Sequence, residues 1–229
     1  MKFKAVIFDL FGTLVDDFGS SVGQMTAEMA AALAVPHERF IRLWNETLEM
    51  RILGAFETVE ANVEYVLDAT NQHAGTEQIG KAVEIRMKSI REALQPRPNA
   101  VSTLTKLKNQ GYKIGLISNA SIEIPILWQE TPFAAVIDAA IFSSREHLKK
   151  PDSRIYHLAP ARLGVVPAAC LYIADGEDHE LAGAAKAGLH PVLIQTLSQQ
   201  IHSRSHQEAR EWQGTTIADL AEVLHIVRN

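Results

Sequence analysis

Short, continuous, β-branched apolar runs alternate along this chain with longer segments whose apolar residues recur at helical spacing. The runs lie near residues 4–9, 112–117, 138–142, 169–174 and 191–195. They predict strands of a parallel sheet buried on both faces and joined by right-handed crossovers. Helices are expected near 99–110, 153–163 and 179–187. Gly111 and Gly188 stand just past two of them as stops, and Pro191 opens the last strand. The fold class is α/β, a doubly wound parallel sheet.

One connection breaks the rhythm. From about residue 16 to 94 there is no strand signal, yet apolar residues keep a helical period through Met25, Met29 and Leu33, then Phe40, Leu43, Trp44 and Leu48. Val59, Val63 and Val66 continue it, followed by Ile79, Val83, Ile85 and Ile90. A structureless loop of that length is implausible. The segment predicts a cap of four helices, whose core includes Trp44, Met25 and Met29. Pro96 and Pro98 mark the return to the sheet domain, because each disfavours helix at the residue before it. The domains are then 1–15 with 95–229, and 16–94.

Each of four strand-like runs leads into a polar residue at its carboxyl end, where open parallel sheets bind ligands. Phe8-Asp9-Leu10-Phe11-Gly12-Thr13 puts a nucleophilic carboxylate before a Gly-Thr turn. Ser118-Asn119 offers a hydroxyl and a turn whose N–H groups suit phosphate oxygens. Lys149-Lys150-Pro151 supplies an ammonium, and Lys150 is preferred because Pro151 fixes the chain beside it. Asp175 opens an acidic cluster with Asp178 and Glu180. Mg²⁺ takes one or two carboxylates plus water and phosphate, so Asp175 is the expected ligand, with Asp178 or Glu180 ordering its water. Taken singly, each motif has an ordinary alternative as a turn, a helix cap or a solvated face.

A net charge of −5 argues against general nucleic-acid or anionic-membrane binding. No stretch approaches 18 uninterrupted apolar residues and no cleavage site follows the N-terminal run, so the cytoplasm is the expected compartment. The single cysteine, Cys170, rules out an internal disulfide and reads as a core residue. His202 and His206 share i,i+4 spacing, but their polar surroundings make a solvated helix the better reading than a zinc site. Arg51, beside the Gly54 turn, is expected to reach down and supply a cation to the substrate.

In this order and spacing the four motifs resemble the haloacid dehalogenase (HAD) superfamily. The resemblance implies a Rossmann-like core with a helical cap, Asp9 as nucleophile, Ser118 as phosphate-binding hydroxyl and Lys150 as charge neutraliser. It also implies Mg²⁺ on Asp9, Asp175 and the Phe11 carbonyl, with Gly12, Thr13 and Asn119 near the substrate. The chain departs at one place: family phosphatases carry an acid–base aspartate two residues after the nucleophile, and here Phe11 stands there. Asp16, Asp17, His179 and Glu57 are candidate replacements. An aromatic residue at that position is typical of the family's dehalogenases, which attack carbon without metal but usually lack the acidic cluster. Mg²⁺-dependent hydrolysis of a small phosphorylated metabolite is the favoured expectation. A 2-haloacid dehalogenase and a catalytically weak phospho-ligand-binding protein are the alternatives.

Overall fold

The computed structural model describes residues 2–17, 22–195 and 207–228, so His202 and His206 lie outside the described residues. Among the described residues, six strands form one sheet: β1 Ala5–Phe8, β2 Lys113–Ser118, β3 Ala139–Phe142, β4 Cys170–Ala174, β5 His190–Ile194 and β6 Thr216–Ile217. All neighbouring pairs are parallel, in the order β3-β2-β1-β4-β5-β6. The expected strands are all present. β6 was not foreseen, since two residues carry no readable period.

Successive β1 side chains feed opposite cores. Val6 and Phe8 pack into one apolar cluster, Ala5 and Ile7 into the other. Continuous apolar runs were the signature of this two-sided burial. The chain runs outward from β1 through β2 to β3, then restarts on the other side of β1 with β4. That reversal opens a crevice at the carboxyl ends of β1 and β4. Asp9 and Asp175 directly follow those two strands.

Among the described residues, five helices lie between β1 and helix α6 (Ala100–Asn109): α1 Val22–Leu33, α2 His37–Glu46, α3 Leu48–Ile52, α4 Val59–Ala69 and α5 Thr76–Ala93. The expected four become five because the second breaks at Thr47. Thr47 Oγ1 and Arg51 Nη1 both donate to the Trp44 carbonyl, at 3.0 and 2.5 Å, and compete with the helical ladder there. Met25, Met29, Phe40, Trp44, Val63 and Val66 form this insert's own core. On α5 the fully buried line is Ala82, Arg86 and Ile90, while Ile79, Val83 and Ile85 are only partly covered. A charged residue therefore occupies the inward face.

After α3 the chain turns at Gly54 and meets helix α8 (Ser143–Glu146), which follows β3. Ser143 Oγ donates to the Ile52 carbonyl at 2.7 Å, and His147 Nδ1 lies 2.9 Å from the Leu53 carbonyl. Gly54 has φ +73°, and a Cβ there would sit 2.0 Å from the Ser144 carbonyl oxygen. Only glycine meets both demands. Gly54→Ala is expected to lower unfolding free energy by about 2 kcal/mol or more. Gly80→Ala, inside α5 with nothing within 4 Å of the new methyl, should instead gain about 0.5–1 kcal/mol. Urea denaturation of the two variants checks both signs.

Candidate active site

The site assembles where strands end. The Asp9 N–H continues the sheet ladder by donating to Ile173 O at 2.9 Å, which fixes the carboxylate at the mouth of the crevice. The turn that follows is closed by Leu10 O, which accepts from Thr13, Leu14 and Val15. Gly12 sits there at φ +72°, and a Cβ on it would lie 2.0 Å from Asp175 Oδ2. The β1 and β4 loops approach this closely because position 12 has no side chain.

Ser118 ends β2 fully buried, and neither its hydroxyl nor that of buried Thr13 has a hydrogen-bond partner. Two buried orphan hydroxyls are costly unless something binds them. Asn119 is engaged otherwise. Its Oδ1 accepts from the Lys150 N–H at 2.8 Å, and its Nδ2 donates to Lys150 O and to Asp178 Oδ2 at 3.3 and 3.1 Å. The amide clamps the Lys150 loop to the β2 loop.

Lys150 crosses the crevice. Its Nζ lies 2.5 Å from Asp9 Oδ1 and 2.5 Å from Glu180 Oε2, with all three groups buried. Lys149 points elsewhere and pairs with Glu49 at 2.7 Å, so the two adjacent lysines have separate roles. Glu180 also accepts from Tyr172 O–H at 2.7 Å and from the Gly176 N–H at 3.1 Å. It begins helix α10 (Glu180–Lys186), but the N–H groups of Leu181 and Ala182 are met by the Glu208 carboxylate at 3.0 and 2.8 Å. Glu208 thus takes the capping work and leaves Glu180 to the site.

Asp175 follows β4, and its Oδ1 accepts from the Glu177 N–H at 3.2 Å. Oxygens of Asp9, Asp175 and Glu180 lie within 4.8 Å of one another. Burial pushes the Asp9 carboxyl up to about 6 against the opposing pull of Lys150, and Asp175 adds to the rise. Burial likewise raises Glu180 well above the carboxylate range despite Lys150. Burial alone would lower Lys150, but Asp9 and Glu180 reverse this and hold its ammonium well above the usual lysine value. Asp9 and Glu180 both pair with the Lys150 ammonium, and Asp175 adds a third carboxylate to the cluster. A compact all-oxygen donor set of this kind fits a hard divalent cation.

The remaining candidates divide. Phe11 is half-buried against the sheet's apolar cluster. Asp16 is bound to Arg97 Nε at 2.7 Å, while Glu57 and His179 are exposed. Asp178 is exposed and held by Asn119. Asp17 Oδ1 lies 3.0 Å from where a Gly12 Cβ would stand, over the same turn as Asp175. Arg51 is not an exposed arm: it is buried, with Cζ 4.4 Å from the Trp44 ring centre.

Three contributors escaped the sequence reading. Tyr172 lies inside an apolar run, and nothing in that run marks its hydroxyl as a partner of Glu180. Ser143 directly follows β3, one residue past the Phe142 that pairs with Ser118 of β2, and a polar residue after that apolar run was a signal available in the sequence. Its Oγ accepts from the Ala120 N–H at 2.9 Å. Arg86 pairs with Glu123 at 2.6 Å, and its place on the Ala82–Ile90 line was the visible signal.

Comparison with known proteins agrees with this geometry. The family described as haloacid dehalogenase-like hydrolase matches residues 3–188. (S)-2-haloacid dehalogenase 4A of Burkholderia cepacia is 26% identical over 196 residues, covering 83% of this chain and 82% of that protein. Glyceraldehyde 3-phosphate phosphatase of Methanothermobacter thermautotrophicus is 24% identical over 235 residues, covering 98% and 99%. The solved 2-haloacid dehalogenase of Pseudomonas syringae pv. Tomato superposes with a TM-score of 0.72 at 20% identity, covering 99% of this chain and 98% of that one. With a matching core, a buried carboxylate–lysine site and a family match over most of its length, the chain belongs to the haloacid dehalogenase-like hydrolases.

Proposed function

We propose that this hydrolase removes phosphate from a small anionic metabolite, with Mg²⁺ as cofactor and Asp9 as the phosphoryl acceptor. The observation that carries the reading is the all-oxygen cluster: oxygens of Asp9, Asp175 and Glu180 lie within 4.8 Å of one another at the mouth of the crevice. A metal-free attack on carbon has no use for the third carboxylate. Asp9, Asp175 and the Phe11 carbonyl would hold the ion, and Mg²⁺ there offsets charge on the phosphoryl oxygens. Both Glu180 oxygens already accept hydrogen bonds, so Glu180 stands behind the ion and orients Lys150. Asp178 would order water at its edge.

An Asp9 oxygen attacks phosphorus, the P–O bond to the substrate breaks, and water then attacks the aspartyl-phosphate to regenerate the carboxylate. The Ser118 and Thr13 hydroxyls donate to the non-bridging oxygens, which gives both buried groups a partner. Lys150 holds positive charge beside the attacked centre. The leaving oxygen needs a proton that Phe11 cannot give, and Asp17 has the best position among the candidates. The helical insert acts as the cap that excludes bulk water, in a protein working in the cytoplasm on small molecules rather than nucleic acid or membrane. A second reading, 2-haloacid dehalogenation, has Phe11 and the Burkholderia relative in its favour. There Asp9 displaces halide from carbon and water hydrolyses the resulting ester.

With Mg²⁺ the protein should hydrolyse p-nitrophenyl phosphate, lose that activity in EDTA, and fall to background as Asp9→Asn. Chloride release from 2-chloropropionate that EDTA does not touch would establish the second reading instead. Phe11→Asp should raise alkyl-phosphate turnover more than aryl-phosphate turnover, within the roughly 10²–10⁴ that a placed acid supplies. An equal gain on both would contradict the missing-acid account. Lys150→Met leaves buried carboxylates without their cation, and should cost about 3–5 kcal/mol in urea denaturation. Added Mg²⁺ should restore part of that loss, and no response to Mg²⁺ would count against the ion.

A further inference from the structure

Helix α10 takes its cap from a distant part of the chain. In an ordinary helix the residue before the first turn accepts, through its side chain, from the second or third N–H group. Here that residue is His179, which sits in the left-handed region at φ +55° and makes no such bond. Asp178 before it, at φ +52°, is held by Asn119 Nδ2 at 3.1 Å. The Leu181 and Ala182 N–H groups donate instead to Glu208 Oε2 and Oε1, at 3.0 and 2.8 Å. Glu208 lies 27 and 26 residues further along, on the short helix Gln207–Glu211. A carboxylate also suits the positive end of a helix.

The turn that Glu208 caps begins with Glu180, which is held on both oxygens. Its Oε2 lies 2.5 Å from Lys150 Nζ and accepts from Tyr172 O–H at 2.7 Å. Its Oε1 accepts from the Gly176 N–H at 3.1 Å. Lys150 Nζ in turn lies 2.5 Å from Asp9 Oδ1. One chain of contacts thus runs from Glu208 through the α10 backbone, Glu180 and Lys150 to the nucleophile. The segment that carries Glu208 is firmly seated. Ala209 is buried in the apolar cluster that holds Leu181 and Ala184 of α10. Gly176, at φ +86°, approaches so closely that a Cβ on it would lie 3.2 Å from Ala209 Cβ.

We infer that Glu208 is a positioning residue for the reaction: by capping α10 it holds Glu180, and through Glu180 the Lys150 ammonium, in register with Asp9. The inference rests on Asp9 acting as nucleophile beside Lys150, which the phosphatase and dehalogenase readings share. Glu208 acts on the α10 backbone, so its loss removes no reacting group and leaves the Ser118 and Thr13 hydroxyls in place. A small misplacement of the ammonium costs rate rather than substrate affinity, and the effect falls on kcat.

Glu208→Ala in the full chain, assayed on p-nitrophenyl phosphate with Mg²⁺, should lose about tenfold to a hundredfold in kcat with KM unchanged. Glu208→Gln keeps an oxygen for one of the two N–H groups and should lose about threefold, again in kcat. It carries the test if Glu208→Ala fails to fold. The control is Glu222→Ala, which takes the same kind of shared acceptor from the Ala218 and Asp219 N–H groups, at 2.8 and 2.9 Å. Its kcat should equal that of the unsubstituted protein. Amide exchange followed by NMR reads the transmission without a substrate. In either Glu208 variant the Gly176 N–H, which donates to Glu180, should exchange faster along with Leu181 and Ala182. An equal kcat loss in Glu222→Ala, a loss carried by KM, or unchanged kcat in Glu208→Gln would overturn the inference. So would exchange that quickens at Leu181 and Ala182 but not at Gly176. If 2-chloropropionate is the substrate turned over, the same kcat pattern in chloride release upholds Glu208 while the phosphatase reading falls. If neither compound is turned over, exchange at Gly176 decides.

Discussion

The structure depends on one ammonium placed between two buried carboxylates. Lys150 reaches across from the loop after β3 to Asp9 after β1 and Glu180 at the start of α10. It ties three segments far apart in sequence into one crevice. Charges this deeply buried persist only when paired and hydrogen-bonded. The surrounding architecture supplies that pairing: Tyr172 and the Gly176 N–H complete Glu180, Asn119 fixes the Lys150 backbone, and Glu208 relieves Glu180 of capping α10. Asp175 then adds a third carboxylate, with an oxygen within 4.8 Å of the other two. The three acids form one compact all-oxygen cluster, and this directs the functional reading toward a divalent cation and a phosphoryl group.

The insert enters a buried charged pair of its own, Arg86 with Glu123. Arg51 and Arg86 both lie against Trp44, Arg86 pairs with Glu123, and Arg86 Nη2 reaches Ser121 in the loop after β2. Gly54 permits the contact by letting that turn lie against the Ser144 carbonyl. Ser143 joins the two sides, accepting from Ala120 and donating to Ile52. Docking of the insert and placement of its cations are therefore one geometric event.

Much of this was legible in the sequence because buried parallel strands write themselves as continuous apolar runs, and the polar residue after each run is conspicuous. Asp9, Ser118, Lys150 and Asp175 were readable for that reason, as was the helical insert. What stayed hidden had a specific cause in each case. β6 is two residues long and holds no period. The break at Thr47 comes from side-chain donors competing for a carbonyl, which hydrophobic spacing does not register. Arg86 was passed over because the α5 apolar line was drawn through Ile79, Val83, Ile85 and Ile90, of which only Ile90 is on the buried line of Ala82, Arg86 and Ile90. Tyr172 is apolar in pattern and polar only at its tip. The orphan hydroxyls of Ser118 and Thr13, and the convergence of Asp9, Asp175 and Glu180, emerge only in three dimensions.

The central claim is that the Asp9–Asp175–Glu180 crevice is completed by a divalent ion. Crystals grown without phosphate and soaked in Mn²⁺ test it most directly, through anomalous scattering at the manganese edge. The account predicts a single strong peak between the Asp9 and Asp175 carboxylates, absent from Asp175→Asn crystals. A crevice without a peak, or a peak bound only at surface carboxylates, would contradict it.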